Sequence, residues 1–120
     1  MRFLLSLAAG QPFAIAEVLI DRVEMADTHH AFIPHLAALL HPALEPEPDV
    51  DSGRFVVYTV SQDAEEPAQV FRVDVLIGWQ DDLRCVPLPR FAGQRWIADS
   101  IGLDLIGDKL PLCLGGGAAW

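Results

Sequence analysis

Four histidines, His29, His30, His35 and His41, fall within thirteen residues, and Asp27 stands just ahead of the first pair. Imidazole nitrogens ligate zinc, and two of them at i and i+4 on a helix, with a third ligand and an open position, turn a bound water into a nucleophile. None of these pairs reproduces H-E-x-x-H, and Pro34 interrupts the helical register ahead of His35. The spacing predicts histidines that cap or flank short helices, or that change charge near neutral pH at a contact. A small metal-dependent enzyme centred on His29–His41 stands third among the functional readings.

Other constellations fail on spacing. Asp49-Val50-Asp51-Ser52-Gly53 begins like a calcium loop, but Gly53 occupies the fifth position, Arg54 the glycine position and Val60 the twelfth, where a bidentate Glu is required. Cys85 and Cys113 have no C-x-x-C or Cys/His spacing, which leaves a reducing, cytoplasmic setting as the default and their pairing open. No Ser sits in G-x-S-x-G. Gly115-Gly116-Gly117 lacks the Lys and Ser/Thr of a phosphate loop and reads as a flexible tail ending in Trp120. Arg84, Arg90 and Arg95, interleaved with Phe91 and Trp96, form the one basic group, expected to pair with acids nearby. No catalytic residue, cofactor or metal ligand set is predicted.

Charge is the strongest signal. Ten of the seventeen acidic residues but only two of the eight basic ones lie between Glu45 and Asp82, so that stretch carries eight of the nine net negative charges. A local excess of this kind makes a directed field, which draws cationic partners and repels nucleic acid. Glu45, Glu47, Asp49, Asp51, Asp81 and Asp82 are the expected contact acids at one end of the fold, with Asp63, Glu65 and Glu66 at the other.

The elements that would position those acids follow from periodicity. Phe3 to Ala9 is either a short leader-like run, followed by the A-x-A of Ala14-Ile15-Ala16, or a buried first strand ending at Gly10-Gln11-Pro12. On a helical wheel Ile15, Val18, Leu19, Val23 and Ala26 gather opposite Glu17, Asp21 and Glu24, which predicts a helix over Phe13 to Asp27 despite its β-branched content. A second helix is expected from about Pro34 to His41, stopped by Pro42. The acid- and proline-rich stretch from Glu45 to Gly53 reads as a solvated connection to a β half.

There, Arg54–Val60 and Val70–Trp79 predict an antiparallel hairpin, with Phe71, Val73, Val75, Ile77 and Trp79 on one face. Such a hairpin would bring Asp81 and Asp82 beside the Glu45–Asp51 loop. Leu83–Phe91 is expected to add a third strand, as an edge or a bulged end because Pro87 and Pro89 lack ladder donors. Gln94–Ile106 suits a helix weakened by Gly102, and the segment after Leu110 a short apolar strand.

The expectation is a single α+β domain of 120 residues, two N-terminal helices packed on a small antiparallel sheet. No apolar run reaches the about 20 residues needed to cross a bilayer. The functional expectation is a non-enzymatic inhibitor or immunity-type module that binds a basic protein through its acidic loops, with Tyr58 or Trp79 as apolar anchors. A self-associating homo-oligomeric subunit, such as a phage or assembly component, is the alternative; its motive is a 52% apolar composition, slightly above the usual soluble domain.

Overall fold

The N-terminal apolar run folds back on itself as a hairpin. A computed structural model, which describes residues 2–36, 53–60, 69–87 and 100–114, pairs β1 (Arg2–Ala8) antiparallel with β2 (Gln11–Ala16) across Ala9-Gly10. Both turn residues have positive φ, 52° and 77°, the combination whose twist matches the flanking strands. The chain continues as β3 (Ile20–Met25), β4 (Phe55–Thr59), β5 (Val70–Val73), β6 (Val75–Asp81), β7 (Cys85–Pro87), β8 (Ser100–Gly102) and β9 (Leu112–Leu114).

These strands form two sheets rather than one sheet under helices. Six run in the order β6-β1-β2-β9-β8-β7, all antiparallel except the β2–β9 pair; the other three run β3-β4-β5, antiparallel throughout. The larger sheet is thus assembled from both ends of the chain and the smaller from its middle. Phe13, Ile15, Ala8 and Leu114 of the larger sheet pack against Val57, Phe71 and Val73 of the smaller, with Leu36 completing this core. On the opposite face of the larger sheet Phe3, Leu5, Ala14, Ala16 and Cys113 make a second cluster. Burying each large side chain contributes about 1.5–3 kcal/mol, so the doubly covered β2 is the fold's centre of stability.

The α+β expectation is therefore corrected, and the reasons are local. The span Phe13 to Asp27 is β2, a 3-10 turn at Glu17–Leu19, and β3. Five consecutive residues of β2 are buried, because both faces of this central strand are covered, and such a strand shows no alternation to distinguish it from a helix. In β3 the register slips by one residue between Ile20 and Arg22, leaving Asp21 extra. That bulge puts Ile20 and Val23 inward three residues apart, a spacing that imitates a helix.

The leader-like run is β1, with Phe3, Leu4 and Leu5 buried. Of the second expected helix only residues 34–36 are described, and they run beside β5, with a parallel bridge from His35 to Arg72. The helix expected over Gln94–Ile106 is corrected in its described part, where β8 pairs with both β7 and β9. The expected strands at Arg54–Val60 and after Leu110 are present as β4 and β9, and β7, which ends at Pro87, is an edge strand as that proline favours. No described helix is long and apolar enough to cross a membrane.

Candidate functional site

Asp74 is the single residue between β5 and β6, and there the chain leaves one sheet for the other. The expected continuous strand Val70–Trp79 is broken at this point. Val70–Val73 pairs with β4 as expected, whereas Val75–Asp81 turns away to lie against β1, with Trp79 opposite Leu4 and Asp81 opposite Arg2.

That carboxylate is held by three donors. Oδ1 accepts from the Gly53 backbone N–H at 2.6 Å and from His35 Nε2 at 2.7 Å, and Oδ2 accepts from the Ala9 N–H at 2.8 Å. Burial works to raise the Asp74 pKa, but the Gly53 N–H, then His35, then the Ala9 N–H outweigh it and keep the group below the usual carboxylate range. An ionised carboxylate only accepts, so His35 Nε2 carries the proton in this bond. Asp74 thereby ties together the β1–β2 turn, the entry to β4 and the buried His35.

The remaining described histidines have local roles. His29 and His30 occupy a 3-10 turn, where the Asp27 carboxylate accepts the His29 N–H and His30 Nδ1 accepts the Asp27 N–H. His30 Nε2 lies 3.4 Å from the Tyr58 hydroxyl and 3.6 Å from Glu24. Among the described residues no group of three His, Cys, Asp or Glu side chains is disposed to hold a metal, and His41 lies outside them.

The sites expected from charge divide in two. Glu45, Glu47, Asp49, Asp51, Asp63, Glu65 and Glu66 lie outside the described residues. Asp81 and Asp82 are both exposed at the far end of β6. Because β6 pairs with β1 and not with β4, the hairpin that would have set these two acids beside the Glu45–Asp51 loop does not form. Arg84 pairs with Asp104 at 2.8 Å, and Arg90 and Arg95 lie outside the described residues.

What the sequence reading did not anticipate is the character of β6 itself. It is the terminal strand of the larger sheet, and Val75, Ile77 and Trp79 are 46%, 47% and 49% exposed along it, while Phe71 and Val73, expected on the same face, are fully buried. A register shift opposite Leu5/Ser6 and a Gly78 φ of 148° kink the strand midway, a feature that discourages indefinite edge-to-edge pairing. The Arg2 guanidinium stacks 4.4 Å from the Trp79 ring centre and pairs with Glu17, fixing one face of the indole. Tyr58, the other expected anchor, is half-buried with Arg22 3.9 Å over its ring.

Set against known proteins, the chain matches no family model and no curated protein.

Proposed function

We propose that the protein is a non-enzymatic binding module that recognises a basic segment of a partner protein along β6. The observation that carries this reading is an edge strand along which Val75, Ile77 and Trp79 are each nearly half exposed and which ends in exposed acids, Trp79 and Asp81 sharing one face while the bulge at Ile77 turns Val75 to the other. Apolar and aromatic side chains supply the contact that excludes water, and the acids supply orientation and speed of encounter. A net charge of −9 adds long-range attraction for a cation.

The alternative, a self-associating subunit, draws on the same apolar edge. Like-charged copies repel, and β6 would bring Asp81 and Asp82 of each copy to a shared interface, so a cationic partner is favoured.

The test is a titration of isotopically labelled protein with a synthetic peptide of alternating lysine and valine, followed by amide NMR at low and high salt. Shifts concentrated on Val75–Asp82, weakened by salt and by Asp81→Asn with Asp82→Asn, are expected; Trp79→Ala should weaken binding by roughly tenfold or more with little loss of stability. Shifts centred on the three-stranded sheet, or a salt-insensitive dimer in sedimentation without peptide, would overturn the reading.

A further inference from the structure

Cys85 on β7 and Cys113 on β9 belong to strands that do not pair with each other. β8 lies between them, with Gly102 opposite Cys85 and Ser100 opposite Cys113. In a flat sheet, residues two strands apart have Cα atoms about 9.5 Å apart, too far for a disulfide. Here the two sulfur atoms are 3.3 Å apart and not bonded.

Two features bring them together. Both side chains leave the sheet on the face that carries Phe3, Leu5 and Ala14, so curling of that face draws them towards each other. Cys113 lies on a diagonal from Cys85, and the β8 residue directly opposite Cys85 is Gly102, which puts no side chain beside it. Gly102 also cannot be enlarged, because a Cβ there would stand 2.6 Å from Pro111 Cγ. Access is unequal: Cys113 is fully buried, whereas Cys85, on the outer strand, is partly exposed. An accessible thiol backed by a buried one within contact distance is the arrangement of an attacking and a resolving cysteine.

We propose that Cys85 and Cys113 are a modification site that closes to a reversible intramolecular disulfide on exposure to a peroxide. The Cys85 thiolate attacks one peroxide oxygen, the O–O bond breaks, and the other oxygen leaves as hydroxide, giving a sulfenic acid on Cys85. The Cys113 sulfur then attacks the Cys85 sulfur; the S–S bond forms, the S–O bond breaks, and the hydroxyl departs as water with the Cys113 proton. Each sulfur gives up one electron and the peroxide takes both. Closing the gap from 3.3 Å to about 2 Å falls to β7, a three-residue strand that among the described residues pairs with β8 alone. The chain has no third cysteine to compete for the pairing.

The experiment treats the reduced, full-length protein with hydrogen peroxide, blocks residual thiols after unfolding, and maps the peptides by mass spectrometry. Expected is a crosslinked peptide pair containing Cys85 and Cys113, a monomer lighter by one hydrogen pair, and full recovery of both thiols with dithiothreitol. In Cys113→Ser, dimedone should trap a sulfenic acid on Cys85 that the unaltered protein shows only fleetingly. Peroxide treatment that leaves Cys113 a thiol while Cys85 proceeds to sulfinic acid, or that gives covalent dimers through Cys85, overturns the proposal. The unaltered protein alone decides this, so the outcome does not depend on the serine variant folding.

Discussion

The outer surfaces of the two sheets are finished in opposite ways. On β3 of the three-stranded sheet the charged outward residues are satisfied by one another, with Met25 exposed at the strand's end: Arg22 pairs with Asp21 and Glu24, each at 3.0 Å, and covers Tyr58, while His30 reaches back to Glu24. The six-stranded sheet ends instead on β6, whose exposed side chains are largely apolar and whose one described cover is Arg2 over Trp79. A surface that neutralises itself has little left to offer a partner. An apolar edge ending in the exposed Asp81 offers both contact area and charge, and that contrast, more than the net charge of −9, supports the proposed site.

Although their surfaces differ, the sheets share one core, and the largest expected effect tests that sharing. Phe71, on the smaller sheet, is fully buried against Phe13 and Ile15 of the larger. Phe71→Ala should cost about 3–5 kcal/mol. Hydrogen exchange should report the loss equally in β2 and β4; a loss confined to β3–β5 would mean that the sheets unfold separately.

The junction comes next. Asp74→Asn removes the charge from bonds to two backbone N–H groups and His35, and should cost about 2–3 kcal/mol in urea denaturation at neutral pH. Because Asp74 is held below the usual carboxylate range, its ionisation favours the folded state. That stabilisation is complete at neutral pH and is lost as pH falls below about 4 through the folded-state value. The Asn variant should therefore lose less stability than the parent protein between neutral and acid pH, and identical acid profiles would remove the junction from the account.

The smallest effect concerns the turn that Asp74 holds. Ala9 adopts a φ of 52°, where a β-carbon is strained, so Ala9→Gly should be neutral to stabilising by up to about 1 kcal/mol in thermal melts. Destabilisation beyond that would show that the turn is not left-handed at this position.

Several strands were legible from residue types alone: the edge strand β7 with its Pro87, the β-rich runs of β4 and β9, and the early apolar strand β1. What was hidden has physical causes. β2 is covered on both faces and so lacks the period-two signature; the bulge at Asp21 gives β3 a spacing of three; Asp74 has the place of an ordinary outward acid in one continuous strand. A carboxylate that accepts from three donors distant in sequence leaves no local pattern, since Ala9, His35 and Gly53 announce nothing by their types. The acids from Glu45 to Glu66, the strongest sequence signal, lie outside the described residues, so the site rests on β6.

The claim on which the rest depends is that the chain changes sheets at Asp74, which makes β6 the exposed edge of the N-terminal sheet. Inter-strand proton NOEs in solution measure this directly. Contacts joining Trp79 to Leu4, together with contacts joining Phe71 to Val57, are the predicted result. An uninterrupted ladder carrying β6 onward along the chain preceding β4, with no contact between Trp79 and Leu4, would contradict it.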